Sequence, residues 1–259
     1  MTAQAVSTPL ESSTVGNVLT LTLNRPQSLN SLTPTLLAAL LAELVRAKDA
    51  DPVRCVVLRG AGRAFCSGQA LDADPEPVKV TLGQRYNPII RAIVEMDKPV
   101  IAAVHGVAAG AGASLALACD FRVMTDSARL RFLFSRVALV ADAGCSWFLP
   151  RLIGHSRATE LLMLGGEVTA EQAQELGLAH RVVSLVDLNA AVDELAGALT
   201  SSPAALALIK RQLRASSTAS LDQQLELEIR CQELAVETSD FQEGLAAFIE
   251  KRAPRFTGR

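Results

Sequence analysis

Aromatic residues and surplus positive charge are both scarce in this 259-residue sequence. Only 4% of the residues are aromatic, and the formal net charge is −2 with no basic stripe along the chain. A nucleic-acid-binding protein usually shows a clustered basic surface. We therefore expect no nucleic-acid partner. Apolar residues make up 49% of the chain, which is enough to bury a sizeable core.

The sequence also lacks the cysteine and histidine patterns of disulfide frameworks and metal sites. Its five cysteines are odd in number and contain no Cys-x-x-Cys pair. His105, His155 and His180 are far apart, so we expect no metal site. No Lys or Arg precedes Arg25, which argues against a signal peptide and an arginine-rich transit peptide. Reduced thiols in a cytoplasmic protein fit these features best.

Signatures of nucleotide binding and of serine hydrolases are absent as well. There is no Walker A loop and no Gly-x-Ser-x-Gly motif. A glycine-rich run from Gly110 fails the dinucleotide fingerprint because its sixth position is Leu115. The surrounding apolar stretch, Val100–Asp120, is interrupted by His105 and three glycines and is rich in alanine. We therefore expect no membrane span there.

That same stretch is the most informative part of the sequence. Val100–Val104 has the composition of a buried strand, and Leu115–Ala118 favours helix after a glycine-rich turn. The first N–H groups of a helix have no partner within it and carry the positive end of the helix dipole. Such a turn can hold an anion or a developing oxyanion. Close packing of a core helix without a ligand is the competing interpretation.

The remaining patterns predict a sheet-containing front and a helical back. Residues 1–16 are polar and predicted to be loose. Strands are predicted at 18–23, 55–58, 121–125 and 181–184, with helices at 33–48, 83–96, 157–164 and 169–176. Residues 72–82, rich in Asp and Pro, are predicted to form a mobile loop. From residue 187 onward helices are predicted at 187–200, 203–214, 220–238 and about 240–251.

Two further places carry polar groups where a strand or an apolar run ends. Phe65–Leu71 follows the strand at 55–58, and ligands usually sit at the carboxyl ends of strands in α/β sheets. An ordinary tight turn is the alternative.

Asp142 follows an apolar run and precedes a predicted helix. It is either a helix N-cap or a carboxylate in an apolar environment, which would raise its pKa toward a value useful for a general base.

Several segments, in this order and spacing, resemble the enoyl-CoA hydratase/isomerase (crotonase) superfamily. They are Asn24–Pro26 with Leu29–Leu32, Ala64–Gly68, Pro99–Gly112 with Ala118–Asp120, Leu149–Arg151, and Asp240–Gly244 with Phe248–Arg252. The resemblance implies an α/β fold with a spiral ββα core at 17–195 and a C-terminal helical region at 196–259. It also implies assembly as a homotrimer, or as a hexamer formed by two trimers. The implied substrate is an acyl-CoA, with coenzyme A as part of the substrate and no separate cofactor.

The resemblance also implies site residues. The thioester oxygen would lie between the backbone N–H groups of Gln69 and Ala111, which form an oxyanion hole. The family's hydratases place two glutamates around the acyl chain, and the matching positions here are Ser114 and Phe134. Asp142 remains as the catalytic carboxylate, and hydration is disfavoured. The implied substrate-binding residues are Arg25, Ser67, Gly68, Ala70, Leu71, Gly110, Phe134, Phe248 and Lys251.

Within the family, the run Phe134–Arg151 is most similar to the ring-epoxide isomerases of phenylacetate degradation. We therefore expect an isomerase in which Asp142 moves a proton, with Phe134 and Trp147 helping to exclude water. A 3,2-enoyl-CoA isomerase of fatty-acid oxidation is the second hypothesis. A non-catalytic acyl-CoA-binding protein, in which Asp142 is only a cap, is the third. A dehalogenase would use Asp142 as a nucleophile.

Overall fold

The structure is a computed structural model that describes residues 8–70 and 77–259. The substrate-binding prediction for Leu71, and residues 72–76 of the loop predicted at 72–82, lie outside the described residues. Residues 78–82 of that predicted loop are helical. The strands are β1 (Leu10–Val15), β2 (Val18–Leu23), β3 (Cys55–Gly60), β4 (Val100–Val104), β5 (Val107–Ala109), β6 (Phe121–Thr125), β7 (Arg129–Arg131), β8 (Glu167–Thr169) and β9 (Arg181–Val183). The helices are α1 (Pro34–Asp49), α2 (Val78–Val80), α3 (Asn87–Glu95), α4 (Ala111–Ala118), α5 (Cys145–Ile153), α6 (His155–Leu164), α7 (Ala170–Glu175), α8 (Leu188–Thr200), α9 (Ala205–Ser216), α10 (Leu221–Val236) and α11 (Ser239–Glu250). A π-helical segment, Thr81–Tyr86, joins α2 to α3.

The main sheet has six strands in the order β1-β2-β3-β4-β6-β9. β1 and β2 form an antiparallel hairpin, and every later neighbour pair is parallel. The central strands β3 and β4 are almost continuous apolar runs because both faces of the sheet are covered. Their carboxyl ends lead into the chain segments that form the site.

The small second sheet, in the order β5-β7-β8, lies next to the segment that follows β3. Isolated bridges pair Cys66 with Ala108 in β5, and Gln69 with Leu32 ahead of α1. The segment 65–70 is therefore held on both sides by backbone hydrogen bonds. This double pairing fixes the position of its amide groups.

Helix α1 shows how local sequence fixes an element of the core. Thr33 is its N-cap, with Oγ1 accepting the N–H of Leu36 at 3.3 Å, and Pro34 occupies the first turn. One face of the helix is buried against the sheet at spacings of three and four residues. Its buried residues are Leu36, Leu37, Leu40, Leu44 and Ala47.

The opposite face of the sheet is covered by α8. Leu188, Val192, Ala196 and Leu199 pack there against apolar side chains of β3, β4 and β6. The predicted boundary between residues 195 and 196 therefore cuts through one continuous helix that belongs to the core. The change from sheet-packed helix to the remaining helices falls after Thr200, where α8 ends.

The last three helices carry many exposed apolar side chains, and the chain end folds back on them. Asp240 is buried at the start of α11, and its carboxylate accepts N–H groups of Ala204, Thr257 and Gly258 at 2.7–2.8 Å. Several large apolar residues of α9–α11 stay more than 45% exposed. They are Ile209, Leu213, Leu221, Leu225, Ile229, Leu234, Leu245, Phe248 and Ile249.

The predicted elements are present with three differences. Residues 10–15, predicted to be loose, form β1, an edge strand with only Leu10 buried. The helix predicted at 83–96 begins earlier, at Val78, and includes the π-helical segment. The three-residue strands β5 and β8 were not predicted from the sequence. No single helix in residues 8–70 and 77–259 combines the length and apolar character needed to cross a membrane.

Candidate active site

The amide of Gln69 faces away from the strand-like segment that contains Leu32. Leu32 N–H donates to Gly68 O at 2.8 Å, and Ala70 N–H donates to Leu32 O at 3.1 Å. In a parallel ladder, the residue between two such bonds directs its own N–H and C=O to the opposite side. The Gln69 N–H is therefore directed toward β5 and the start of α4.

The amide of Ala111 lies on that same side. Ala109 N–H donates to Cys66 O at 2.9 Å, which holds the end of β5 beside the segment 65–70. A Cβ atom placed on Gly68 would lie 3.6 Å from Ala111 N. Ala111 is the first residue of α4, so its N–H has no partner within the helix. The two N–H groups thus share one space at the positive end of a helix, an arrangement suited to binding an oxyanion.

Glycines are required where these two segments meet. Gly68 has φ of +93°, and a Cβ there would lie 2.8 Å from Ala109 O. Gly112, in the first turn of α4, is equally tight, since its Cβ would lie 2.4 Å from Cys66 O. Gly110 precedes the helix with φ of +51°. The backbone approach that sets the distance between the amides therefore depends on the absence of side chains.

Asp142 lies in the loop between the 3-10 helix Phe134–Val137 and α5. Burial raises the pKa of its carboxyl to about 6, and a contact with its own backbone N–H opposes this only partly. Oδ1 is buried and has no hydrogen-bond partner among the described residues. The N-cap of α5 is Gly144, with no side-chain capping bond. The helix-cap interpretation of Asp142 is therefore wrong, because only its backbone oxygen bonds the helix start, through Cys145 N–H at 2.9 Å.

Ser114, which the resemblance matches to one of the two hydratase glutamates, contacts the backbone of Asp142. Its Oγ lies 3.1 Å from Asp142 O and 3.2 Å from Gly110 O. The side chain is fully buried on α4. Ser114 thus links the loop that carries the carboxylate to the helix that presents the Ala111 amide.

Phe134, at the other hydratase position, is 6% exposed and lies beside Gly110. A Cβ on Gly110 would come within 3.9 Å of its ring. The aromatic ring therefore gives this side of the site an apolar wall. Trp147 does not exclude water from the site as predicted, because its side chain is 38% exposed. Its ring packs against Phe148, and the Arg151 guanidinium lies 4.1 Å from the ring centroid.

Arg25, Ser67 and Ala70 lie together at the turn that precedes α1. Arg25 Nη1 donates to Ser31 O at 2.6 Å and to Ser31 Oγ at 2.8 Å. Ser67 Oγ donates to Ser28 O at 3.1 Å, and Ala70 is buried. These residues hold the amide-bearing segment against the turn, and part of the Arg25 guanidinium is already used in doing so.

Phe248 and Lys251 lie at the end of α11, away from these residues. Phe248 is 83% exposed, and Lys251 caps the helix in a left-handed conformation with φ of 54°. Within residues 8–70 and 77–259, neither side chain contacts Asp142. A substrate-binding role for them needs a neighbouring subunit and stays a prediction.

Tyr86 is a residue of the site that the sequence reasoning missed. It ends the π-helical segment before α3, and its ring is 3% exposed. Its pKa is raised, first by burial and then by the negative charge of Asp142. Tyr86 precedes Ile90 by one helical turn, and a Cβ on Gly144 would lie 3.5 Å from Ile90, so this part of the helix lies against the loop that carries Asp142. Two features of the sequence could have indicated Tyr86: it is the one tyrosine in the chain, and it lies on a predicted helix.

In the part of the chain that the structure describes, no group of three or more His, Cys, Asp or Glu residues could hold a metal ion. All five cysteines are free and buried. Burial raises the pKa of Cys66, Cys119 and Cys145 to about 12. These thiols remain protonated near neutral pH and are poor nucleophiles.

Comparison with known proteins gives a consistent result. The enoyl-CoA hydratase/isomerase family model matches residues 13–259. The chain is 43% identical over 250 residues to the 1,2-epoxyphenylacetyl-CoA isomerase of Escherichia coli (strain K12), covering 93% of this chain and 95% of that protein. It is 36% identical over 244 residues to the 2,3-dehydroadipyl-CoA hydratase of the same strain, covering 93% and 96%.

Solved structures support the same relationship. The enoyl-CoA hydratase of Bacillus anthracis has a TM-score of 0.92 to this structure at 34% identity, covering 97% of this chain and 100% of that one. The crotonase-like α/β fold predicted from the sequence is thereby confirmed. The chain therefore belongs to the enoyl-CoA hydratase/isomerase family of acyl-CoA enzymes.

Proposed function

We propose that this enzyme is an acyl-CoA isomerase in which Asp142 moves a proton within the substrate. The observation that carries the proposal is the distribution of carboxylates at the site. Ser114 and Phe134 stand where the family's hydratases have glutamates, so neither can activate water. Among the residues that the structure describes at the site, Asp142 is the remaining acid, and its Oδ1 is buried without a hydrogen-bond partner.

The proposed reaction needs one carboxylate and two amides. The thioester oxygen accepts hydrogen bonds from Gln69 N–H and Ala111 N–H. Asp142 removes a proton from the carbon next to the carbonyl, and the C–H electron pair is delocalised onto that oxygen. Asp142 then returns the proton to another carbon, so no atom is gained or lost. The amides stabilise the charge that develops, an effect for which one donor is typically worth about 3 kcal/mol.

The electrostatics of the site suit this role. A pKa of about 6 leaves Asp142 ionised near neutral pH while making it a stronger base than an exposed aspartate. The low polarity around Phe134 and the buried face of α4 is consistent with this shift. The same environment disfavours access of water to the enolate.

The substrate proposed is 1,2-epoxyphenylacetyl-CoA, which would be converted to its oxepin isomer. In this conversion the bond between the two epoxide carbons breaks and its electron pair becomes part of a ring double bond, while Asp142 moves the proton from the carbon next to the carbonyl to a ring carbon. Support comes from the 43% identity to the E. coli protein of that name and from the similarity of Phe134–Arg151 noted above. A 3,2-enoyl-CoA isomerase is the second candidate, because the same base and amides would serve a straight-chain 3-enoyl group. One relative at 34% identity, from Streptococcus mutans, is named a trans-2-decenoyl-[acyl-carrier-protein] isomerase.

The coenzyme A portion is proposed to bind with help from Arg25 and Lys251, which can interact with its phosphates. Lys251 and Phe248 would act across a subunit contact in a homotrimer or a hexamer of two trimers. The exposed apolar side chains of α9–α11 support assembly through this region, since large apolar patches often mark interfaces. The buried free thiols fit the proposed cytoplasmic location.

Product analysis with the wild-type enzyme tests this function. The enzyme is incubated with 1,2-epoxyphenylacetyl-CoA, with a trans-3-enoyl-CoA and with a trans-2-enoyl-CoA, and the products are identified by chromatography and mass. The proposal predicts an isomer of unchanged mass from the epoxide. Turnover of the 3-enoyl-CoA alone would favour the second candidate. Addition of water to the 2-enoyl-CoA as the main reaction would contradict both.

A further inference from the structure

The hydroxyl of Tyr86 is a buried polar group without a partner. The ring is 3% exposed, and Oη makes no hydrogen bond to any residue in 8–70 or 77–259. An unsatisfied buried hydroxyl lowers stability, so proteins seldom keep one without a use. A phenylalanine at this position would avoid that cost with almost the same shape.

The packing of α3 places Tyr86 beside the loop that carries the proposed base. A Cβ on Gly144, two residues after Asp142, would lie 3.5 Å from Ile90 Cγ2, and Tyr86 precedes Ile90 by one helical turn. The negative charge of Asp142 also helps to raise the pKa of the phenol, which agrees with this placement. Tyr86 also ends a π-helical segment, a distortion that often occurs at functional sites because it redirects a side chain.

The chemistry of the group limits what it can do. Burial raises the pKa of Tyr86 above its ordinary value, so the phenol is protonated near neutral pH, where Asp142 is ionised. It cannot be a second base. The Tyr86 hydroxyl is one O–H donor in an apolar environment, and such a donor can form a hydrogen bond to an oxygen of the ligand.

We propose that Tyr86 Oη donates a hydrogen bond to an oxygen carried by the acyl group, and so selects oxygenated acyl chains over plain hydrocarbon ones. This inference rests on the isomerase function proposed above and names a specificity residue for it. A site built to hydrogen-bond a substrate oxygen discriminates strongly against analogues that lack it, because the donor is then left unpaired. Among the candidate substrates, the ring epoxide has such an oxygen and a straight-chain 3-enoyl group does not.

A binding cycle with two non-reacting ligands tests the proposal without requiring turnover. Calorimetry gives the dissociation constants of 2-hydroxyphenylacetyl-CoA and phenylacetyl-CoA, which differ by one ring oxygen, for wild type and Tyr86→Phe. Wild type is expected to bind the hydroxylated ligand at least about tenfold more tightly, and the variant about equally. Thermal unfolding without ligand is the control. Tyr86→Phe should be as stable as wild type or more stable, because it removes an unpaired hydroxyl.

A spectroscopic measurement makes the test independent of the substitution. Tyr86 is the one tyrosine of the chain, so ultraviolet resonance Raman bands of tyrosine report on its hydroxyl alone. They should shift toward a donating state with 2-hydroxyphenylacetyl-CoA and not with phenylacetyl-CoA. Equal affinities in wild type, an unchanged ratio in Tyr86→Phe, or unshifted bands would overturn the inference. Failure of the isomerase function would appear separately, as absence of product from the epoxide.

Discussion

Ser114 Oγ lies 3.1 Å from the backbone oxygen of Asp142, so a residue at a hydratase glutamate position supports the loop that carries the proposed base. The same hydroxyl lies 3.2 Å from Gly110 O, immediately before the Ala111 amide. One small side chain therefore fixes the base relative to the oxyanion site.

Ser114→Ala should lower kcat by about two- to tenfold, because a neutral hydrogen bond contributes about 0.5–1.5 kcal/mol. The Asp142 carbonyl would keep only the N–H of Cys145. Steady-state kinetics on the epoxide would measure the loss. Ser217→Ala is the matched control, since its hydroxyl bonds only Arg214 O on an exposed helix end. Equal rates for Ser114→Ala and wild type would show that Ser114 does not position the base.

The rate should depend on pH through Asp142. With a pKa of about 6, the carboxylate is protonated below that pH and cannot accept a proton. We expect kcat/KM to fall about tenfold per pH unit below about 6 and to level off above it. A pH-rate profile between pH 5 and 9, at constant ionic strength, measures this. A rate that stays constant down to pH 5 would exclude Asp142 as the base.

Ionisation of Asp142, which the reaction needs, should lower the stability of the folded protein. The pKa of Asp142 is raised from an ordinary 3.8 to about 6, so the folded state holds a proton that the unfolded state has released in that window. Its ionisation therefore destabilises the fold above about pH 6, and this effect disappears as the pH falls toward about 4. Asp142→Asn should unfold at a higher temperature than wild type at pH 8, with a gap that narrows between pH 6 and 4. A lower unfolding temperature at pH 8 would contradict the environment described here.

Two glycine-to-alanine substitutions should have effects of opposite sign. Gly112→Ala would bring Cβ to within 2.4 Å of Cys66 O, forcing α4 away from the amide-bearing segment. We expect a loss of about 1–3 kcal/mol in unfolding free energy, and a lower kcat. Gly197→Ala, exposed in the interior of α8 with nothing within 4 Å of the added Cβ, should stabilise by about 0.5–1 kcal/mol. Denaturant unfolding measures both, and equal effects would show that the contact at Gly112 is not tight.

The parts of the fold that local chemistry determines could be predicted from the sequence. Thr33 and Pro34 define the start of α1, and the apolar run at Val100–Val104 defines a buried strand. β1 could not be recognised, because five of its six residues are exposed and it gains its structure from pairing with β2. The same applies to Tyr86, because its helix packs through Ile90 against Gly144, which is far from it in the sequence. Asp142 was found as a candidate, but only the structure shows that its side chain does not cap α5.

The most direct test of Asp142 as the base is the rate of Asp142→Asn on 1,2-epoxyphenylacetyl-CoA, with binding of phenylacetyl-CoA as the check that the site is intact. Asparagine keeps the shape but cannot accept the proton, and loss of a general base typically costs 10²–10⁴-fold. We predict a fall in kcat of about that size with an unchanged dissociation constant. Full activity in Asp142→Asn would contradict the proposed mechanism.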